Sequence, residues 1–201
     1  MGETTLKKII VITAPSGAGK TTITRHLMQC FPELSFSVSA TTRAPRQNET
    51  DGKDYHFIST EAFENKIKEE AFIEWEMVYE GIYYGTLKSE INTIWKRREV
   101  AVLDIDVKGA MNIKKNFPAE TLTLFIAPPS INTLRERLQE RGTETPASLE
   151  KRIQKANEEI SYKNRFDYII LNDDLKKACE EAVKITAAFL QKTNPVDIDS
   201  V

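Results

Sequence analysis

The chain has 201 residues, of which 29% are charged and 40% hydrophobic, and its formal net charge is −2. This length suits one globular domain whose core needs neither disulfides nor a structural metal. The nearly balanced charge argues against a nucleic-acid-binding protein with a broad basic surface, and no apolar run approaches the ~20 residues of a membrane span.

Apolar runs rich in β-branched residues alternate along the chain with segments whose apolar residues recur at helical spacing. The first kind of segment predicts strands, and the second kind predicts helices. In chain order, we predict a strand at 6–14, a helix at 19–31, a strand at 34–42, a loop at 43–53, a strand at 54–59, a helix at 59–70, β-structure at 71–86 with breaks at Gly81 and Gly85, a helix at 87–99, a strand at 100–106, a helix at 107–117, a strand at 121–129, helices at 130–142 and 145–164, a strand at 166–172, and a C-terminal helix.

Four of the predicted strands are short and almost wholly apolar: 6–14, 100–106, 121–129 and 166–172. Three of them are followed by helices at the spacing of a βαβ unit. This pattern predicts an α/β fold with a parallel sheet that is flanked by helices on both faces. The stretch 34–86 breaks the alternation and predicts a separate β-rich lobe.

The stretch APSGAGKTT, residues 14–22, lies between the first strand and the first helix, which is the position of a phosphate-binding loop. Backbone N–H groups and a helix N-terminus form an anion site there, and glycines let the backbone curl around phosphate oxygens. Lys20 would reach the β- and γ-phosphates, and the Thr21 hydroxyl would bind Mg²⁺. Ala14 stands where the pattern has its first glycine, which is tolerable at negative φ. The alternative is a glycine-rich turn with an incidental Lys-Thr pair.

A second candidate anion site lies in the predicted loop after the second strand. Arg43 and Arg46 are three residues apart, and Tyr55 follows a few residues later. Two guanidinium groups and a phenol suit the dianion of a phosphate monoester. The alternative is a pair of solvated loop arginines.

Stretches spread over roughly residues 8–175 occur in the order of one known family: PSGAGKTT, SVSATTRAPR, GKDYHF, FIEW, YYGT, LDIDVKGA, FIAPPS, LRERLQERGTET and NDD. In them the chain resembles guanylate kinases. The resemblance implies a P-loop NTPase-like fold and transfer of a phosphoryl group from ATP to GMP or dGMP, with Mg²⁺ as cofactor. It also implies one domain made of a core (1–33, 87–129 and 165–192), a GMP-binding lobe (34–86) and a helical lid (130–164).

The resemblance also assigns roles to individual residues. For ATP it implies Pro15, Ser16, Gly17, Ala18, Gly19, Lys20, Thr21, Thr22 and, against adenine, Asn172. For GMP it implies Ser39, Arg43, Arg46, Glu49, Tyr55, Glu74, Tyr84, Thr86 and Asp106. For catalysis it implies Lys20, Arg43, Arg137, Arg141 and Arg152. For the metal it implies Thr21 and, through water, Asp104. The alternative for Asn172 is an ordinary loop turn.

The residues that would read guanine have a chemical rationale. Glu74 can accept hydrogen bonds from N1–H and N2–H₂ of guanine, whereas N1 of adenine is itself an acceptor. The hydroxyls of Ser39 and Thr86 can donate to O6. Asp104 and Asp106 end a buried strand, at the carboxyl edge where ligands of such sheets bind. The alternatives are an exposed strand acid at position 74 and two acids that end a strand by chance.

Two other functions remain open: a non-catalytic guanylate-kinase-like protein-interaction module, and a nucleoside monophosphate kinase with another base preference. The intact phosphate loop and the lid arginines argue against the protein-interaction module. Ser39, Glu74 and Thr86 argue against a preference for another base. We expect ATP and GMP or dGMP as small-molecule partners, no nucleic-acid or membrane partner, and a monomer or weak homodimer. Cys30 and Cys179 match no metal-ligand spacing, and MGETTLKK lacks a signal-peptide core, so we expect a cytoplasmic protein with reduced thiols.

Overall fold

The computed structural model describes residues 7–46, 49–140 and 145–191, and strands and helices alternate within these ranges. The strands, β1 to β9 in chain order, are Ile9–Thr13, Leu34–Phe36, Ala40–Thr41, His56–Phe57, Phe72–Tyr79, Ile82–Leu87, Val100–Asp104, Thr121–Ala127 and Tyr168–Leu171. The helices, α1 to α7, are Lys20–Cys30, Thr60–Lys68, Lys88–Lys96, Val107–Asn116, Ile131–Glu140, Pro146–Ser161 and Leu175–Gln191. None of the helices in these ranges is both long enough and apolar enough to cross a bilayer.

Within the described ranges, β2, β7, β1, β8 and β9 form a parallel sheet in that order. Every residue of the central strand β1 is buried. Ile10 and Ile12 join the core under α1, α5, α6 and α7, whereas Ile9 and Val11 join the core under α3 and α4. This arrangement confirms the predicted parallel sheet with helices on both faces, because a strand that is buried on both sides reads as a continuous apolar run.

A second sheet, in the order β4-β3-β6-β5, forms a β-rich lobe together with α2. β5 and β6 are an antiparallel hairpin whose turn contains Gly81, with a φ of 72°. Phe63 of α2 stacks on Phe72 and Tyr83 of the hairpin, with ring centroids 4.3 and 5.3 Å apart. The helix therefore closes one face of the small sheet with aromatic rings.

The prediction of a single strand at 34–42 is wrong. Leu34–Phe36 pairs with β7 in the parallel sheet, whereas Ala40–Thr41 pairs with β4 and β6 in the second sheet. A period-two pattern shows that alternate residues are buried, but it does not specify which sheet supplies their neighbours. The first residues of the predicted GMP-binding lobe therefore lie in the core sheet. The predicted break at Gly85 is also wrong: Gly85 lies inside β6, where a Cβ would come within 2.8 Å of Phe72 Cδ1.

Lys8 joins the first strand to the last helix. It is only 1% exposed, and its Nζ donates hydrogen bonds to the carbonyl oxygens of Phe189 (3.0 Å) and Leu190 (2.8 Å) at the end of α7. The last carbonyl groups of a helix have no partner within the helix, and a cation there also stabilises the negative end of the helix dipole.

We expect Lys8→Met to lower the free energy of unfolding by about 1–3 kcal/mol, because it leaves partly buried carbonyl groups without their donor. Urea denaturation measures this change. The exposed Lys115→Met is the matched control, with an expected change below about 0.5 kcal/mol. Equal stability of the Lys8 variant and the wild type would show that this link contributes nothing.

Candidate active site

The chain between β1 and α1 forms a loop at the carboxyl edge of the parallel sheet. Gly17 and Gly19 both have a φ of 95°, in the left-handed region that glycine adopts without strain. Gly19 directly precedes α1, and no side chain caps the helix there. The N–H groups of the first turn of α1 therefore remain available to bind an anion.

Ala14 fits the position where the phosphate-loop pattern has glycine. It is buried in the core on the α1 side of the sheet. Among the described residues other than glycine, positive φ occurs at Glu70 and Arg98. Ala14 thus meets the condition of negative φ under which a methyl group is tolerable there, and it packs in the core.

The phosphate loop rests on Asn172, which follows β9. The Nδ2 of Asn172 donates a hydrogen bond to the carbonyl oxygen of Ala18 at 2.7 Å, and the residue is only 4% exposed. A Cβ at Gly19 would lie 2.2 Å from this Nδ2, and a Cβ at Gly17 would lie 3.2 Å from Leu134 Cδ1. The two glycines therefore allow the positive φ angles of the loop, and they also allow it to pack closely against Asn172 and helix α5.

Lys20 and Asp104 form an ion pair beside the loop. Lys20 begins α1 and Asp104 ends β7, and the parallel register that places Ile12 opposite Asp104 brings the two together. Burial disfavours the charged ammonium, but the Asp104 carboxylate outweighs this effect and raises the pKa of Lys20. Lys20 is therefore held as a cation at the loop.

Arg43 is the centre of a cationic cluster in the β-rich lobe. Its guanidinium donates to both carboxylate oxygens of Glu49, at 2.6 and 2.7 Å, and its Nε donates to the Tyr84 hydroxyl at 3.0 Å. Its Cζ lies 4.9 Å from the centre of the Tyr55 ring. Glu49 also accepts the backbone N–H of Arg46 at 2.8 Å, and the Arg43 hydrogen bonds lower the pKa of Glu49. The bidentate pair holds the Arg43 guanidinium in one orientation.

Glu74 of β5 is buried where the lobe meets α4, with 7% exposure. Thr86 Oγ1 donates a hydrogen bond to Glu74 Oε1 at 2.6 Å. Asp106 is the N-cap of α4, and its Oδ1 accepts the backbone N–H of Gly109 at 2.8 Å. Burial raises the pKa of Glu74 to about 7; the Thr86 hydrogen bond opposes this rise, and the Asp106 and Glu76 carboxylates add to it.

These clusters face one cavity of about 590 Å³, a size typical of small-molecule sites. The predicted site residues that line it are Pro15, Ser16, Gly17, Gly19, Lys20, Thr21, Thr22, Ser39, Arg43, Arg46, Tyr55, Glu74, Tyr84, Asp104, Asp106 and Arg152. The predicted site residues that do not line it are Ala18, Glu49, Thr86, Arg137 and Asn172. Arg141 lies outside the described residues.

The guanylate kinase family model matches residues 6–188 of this chain. The chain belongs to the guanylate kinase family. The guanylate kinase of Salinibacter ruber is 47% identical over 184 residues, which cover 92% of this chain and 97% of that protein. The guanylate kinase of Porphyromonas gingivalis is 45% identical over 188 residues, with 93% and 100% coverage. A crystal structure of guanylate kinase from Anaplasma phagocytophilum matches with a TM-score of 0.75 at 28% identity, and the match covers 94% of this chain and 89% of that chain.

The arginines that the guanylate kinase resemblance assigns to the lid have different surroundings on α5 and α6. Arg152 lines the cavity, and its Nη1 donates to the Ser16 hydroxyl at 2.7 Å. Arg137 donates instead to the carbonyl oxygen of Asn172 at 3.1 Å. In this conformation, Arg152 contacts the phosphate loop, whereas Arg137 contacts the chain after β9.

The face of α6 that lines the cavity also carries polar residues that the sequence reasoning did not identify. They are Ser148, Lys151, Lys155 and Glu159. The positions 148, 152, 155 and 159 are separated by four, three and four residues. Ser148, Lys155 and Glu159 therefore lie on the same face of the helix as Arg152. Glu159 is 8% exposed, and burial raises its pKa to about 7. The helical spacing from Arg152 was the signal that could have found this face.

We expect Glu74→Gln to raise the free energy of unfolding at pH 8 by up to ~3 kcal/mol and at pH 5 by less than about 1 kcal/mol. The pKa of Glu74 in the folded protein, about 7, is above the ordinary glutamate value of 4.5, so folding penalises the ionised carboxylate. This penalty is absent below the unfolded pKa and is complete above the folded pKa, and glutamine removes it. Denaturation without nucleotides at both pH values measures the difference, and an equal gain at pH 5 and pH 8 would contradict the assignment.

Proposed function

We propose that the chain transfers the γ-phosphoryl group of ATP to GMP or dGMP, giving ADP and GDP or dGDP. The observation that carries the proposal is that a loop of backbone amides with a lysine and a cluster of arginines with tyrosines face one cavity of about 590 Å³. Direct transfer requires donor and acceptor phosphates to be held in line at short distance. Membership of the guanylate kinase family supports the same reaction.

The phosphate loop binds ATP in this proposal. Backbone N–H groups of the loop and of the first turn of α1 bind the phosphate oxygens, and Lys20 neutralises charge on the β- and γ-phosphates. Lys20 is paired with Asp104 in the structure. ATP therefore brings a second group of oxyanions to an ammonium that already has one carboxylate partner. The resemblance assigns Asn172 to adenine, whereas its amide here supports the loop from beneath through the Ala18 carbonyl and does not line the cavity.

Mg²⁺ is the cofactor that we propose. Thr21 and Asp104 line the cavity beside Lys20 and offer the hydroxyl and carboxylate oxygens that this hard cation prefers. Across the described part of the chain, no cluster of three or more His, Cys, Asp or Glu side chains could hold a metal. The residues present suit an ion that keeps several waters and arrives with the nucleotide phosphates. When bound, Mg²⁺ supplies positive charge to the phosphates.

The arginine cluster binds the phosphate of GMP. Arg43 is already oriented by Glu49 and Tyr84, so little side-chain entropy remains to be lost when a phosphate binds. Arg46 lines the same part of the cavity and adds a second guanidinium. Tyr55 lines it as well and completes the cluster beside the phosphate. Charge-assisted hydrogen bonds from guanidinium groups are strong with phosphate oxygens, as they are with carboxylates.

Guanine lies against Glu74 and Asp106 in this proposal. The Glu74 carboxylate accepts from N1–H and N2–H₂, and Asp106 faces the amino group. Ser39 lines the cavity, and we assign its hydroxyl to guanine O6. Thr86 already donates to Glu74, so its role here is to orient that carboxylate. A site that pairs polar groups in this way rejects a base with the reversed pattern.

The lid stabilises the migrating phosphoryl group. Phosphoryl transfer needs positive charge and alignment more than covalent help, and an arginine at this position accelerates it by ~10³–10⁵. Arg152 is already at the phosphate loop, and by resemblance Arg137 and Arg141 would join it when the lid closes. Closure also excludes water from the reacting phosphates. No general base is required, because the acceptor phosphate is already anionic.

Acceptor preference tests the proposal. We expect an ADP-coupled assay with ATP to show turnover of GMP and dGMP, with kcat/KM for AMP lower by as much as ~10⁴. Equal rates with AMP would contradict the guanine assignment. If none of the monophosphates supported ADP formation, the alternative of a non-catalytic protein-interaction module would replace this proposal.

Two substitutions separate the donor and acceptor sites. We expect Lys20→Met to lower kcat by at least ~10²-fold with the KM for GMP changed less than about threefold, because Lys20 serves ATP. We expect Arg46→Met to raise the KM for GMP by roughly 10- to 100-fold through loss of a charge-assisted contact of about 1.5–3 kcal/mol. Steady-state kinetics with each substrate varied measure both effects. A reversed pattern would exchange the two assigned sites.

A further inference from the structure

The first turn of α4 packs directly against the carboxylate of Glu74. Gly109 is the third residue of this helix, and its backbone N–H donates to Asp106 Oδ1 at 2.8 Å. A Cβ at Gly109 would lie 2.6 Å from Glu74 Oε2, 3.3 Å from Glu74 Cδ and 3.4 Å from Asp106 Oδ1. The carboxylate of Glu74 thus occupies the space in which a side chain at position 109 would stand.

The backbone gives no reason for glycine at this position. Gly109 lies in a regular helix and is not among the glycines with positive φ. Glycine is a poorer helix former than every other residue except proline, so helix stability alone would favour alanine. The close approach of Glu74 is the remaining reason for a residue without a side chain.

We propose that Gly109 determines specificity for guanine as a positioning residue. It lets the carboxylates of Glu74 and Asp106 approach each other at the end of the cavity where the proposed function places N1–H and N2–H₂ of the base. Thr86 holds Oε1 of Glu74 from β6 at 2.6 Å, and Gly109 leaves room for Oε2 on the α4 side. This inference rests on the proposed function for the identity of the base.

A methyl group at position 109 would displace the carboxylate without disturbing the fold. A carbon–oxygen contact needs about 3.3 Å, so Glu74 Oε2 would have to move by roughly 0.7 Å. That shift stretches a hydrogen bond of about 2.8 Å beyond the useful range. The atom that moves is the far end of a flexible side chain, and the helix itself gains a better helix former. The expected result is a protein of undiminished stability that binds GMP poorly.

Gly109→Ala tests the inference. We expect the KM and Kd for GMP to rise roughly 10- to 100-fold, the usual effect of losing a hydrogen bond to a charged group. The KM for ATP should stay within about twofold of the wild type, and the Tm should be unchanged or up to ~4 °C higher. Inosine monophosphate, which lacks the 2-amino group, should lose less affinity than GMP, because it makes one fewer hydrogen bond to the displaced carboxylate.

Two further variants separate positioning from a structural role. Lys108→Ala introduces alanine at the neighbouring, exposed position of the same turn and should leave the KM for GMP and the Tm nearly unchanged. Glu74→Asp withdraws the carboxylate by one methylene group. In that background, Gly109→Ala should raise the Kd for GMP by less than about threefold, because the two residues no longer collide.

Isothermal titration calorimetry and turnover are measured on the same samples, so that binding and catalysis are scored separately. An unchanged Kd for GMP in Gly109→Ala would overturn the inference. So would a lowered Tm with equal losses for ATP and GMP, which would indicate a general packing role. If the wild type binds GMP without phosphorylating it, the proposed function fails, and the comparison of Kd values still tests Gly109.

Discussion

The parallel pairing of β1 with β7 is the constraint on which the site depends. The register places Ile12 opposite Asp104, so the phosphate loop that follows β1 and the acidic segment that ends β7 emerge side by side. Lys20 and Asp104 form an ion pair because of this register, although they are 84 residues apart in the sequence. Because the carboxyl ends of parallel strands share one edge, a phosphate loop, a carboxylate pair and helix α6 can all face one cavity.

Opposite charges compensate each other around the cavity. Lys20 pairs with Asp104, and Arg43 pairs with Glu49. Each cation is thereby held in place before a phosphate arrives, which lowers the entropy lost on binding. Glu74 has no such cationic partner among its described hydrogen bonds and ion pairs, and burial raises its pKa to about 7. In the proposed function, its carboxylate accepts hydrogen bonds from the N–H donors of guanine.

Two glycines, which have no side chain, are as important to this site as its polar groups. At Gly19, a Cβ would collide with the Asn172 amide that supports the phosphate loop; at Gly109, it would collide with Glu74. Gly19 also needs its positive φ, whereas Gly109 does not. The two glycines thus differ in origin: one is required by the path of the backbone and by a neighbour, and the other by a neighbour alone.

Much of the fold could be predicted from local patterns. Strands such as β1 and β7 are recognisable because burial on both faces requires consecutive apolar residues. The loop before α1 is recognisable because an anion site made of backbone amides needs glycines, a lysine and a helix start at fixed spacing. The arginine pair could be proposed from its residue types, whereas Glu74 was assigned by the resemblance to guanylate kinases.

The amino-acid sequence by itself determined the α/β class, the phosphate loop and the family, because each is encoded in residues that are adjacent or regularly spaced. Only the tertiary structure decided that residues 34–42 divide between two sheets, that Thr86 donates to Glu74, and that Asn172 lies beneath Ala18. Those contacts join residues as far as 154 positions apart. The physical reason is that a buried polar group takes whichever partner the packed chain brings within hydrogen-bonding distance, and no local pattern records that partner.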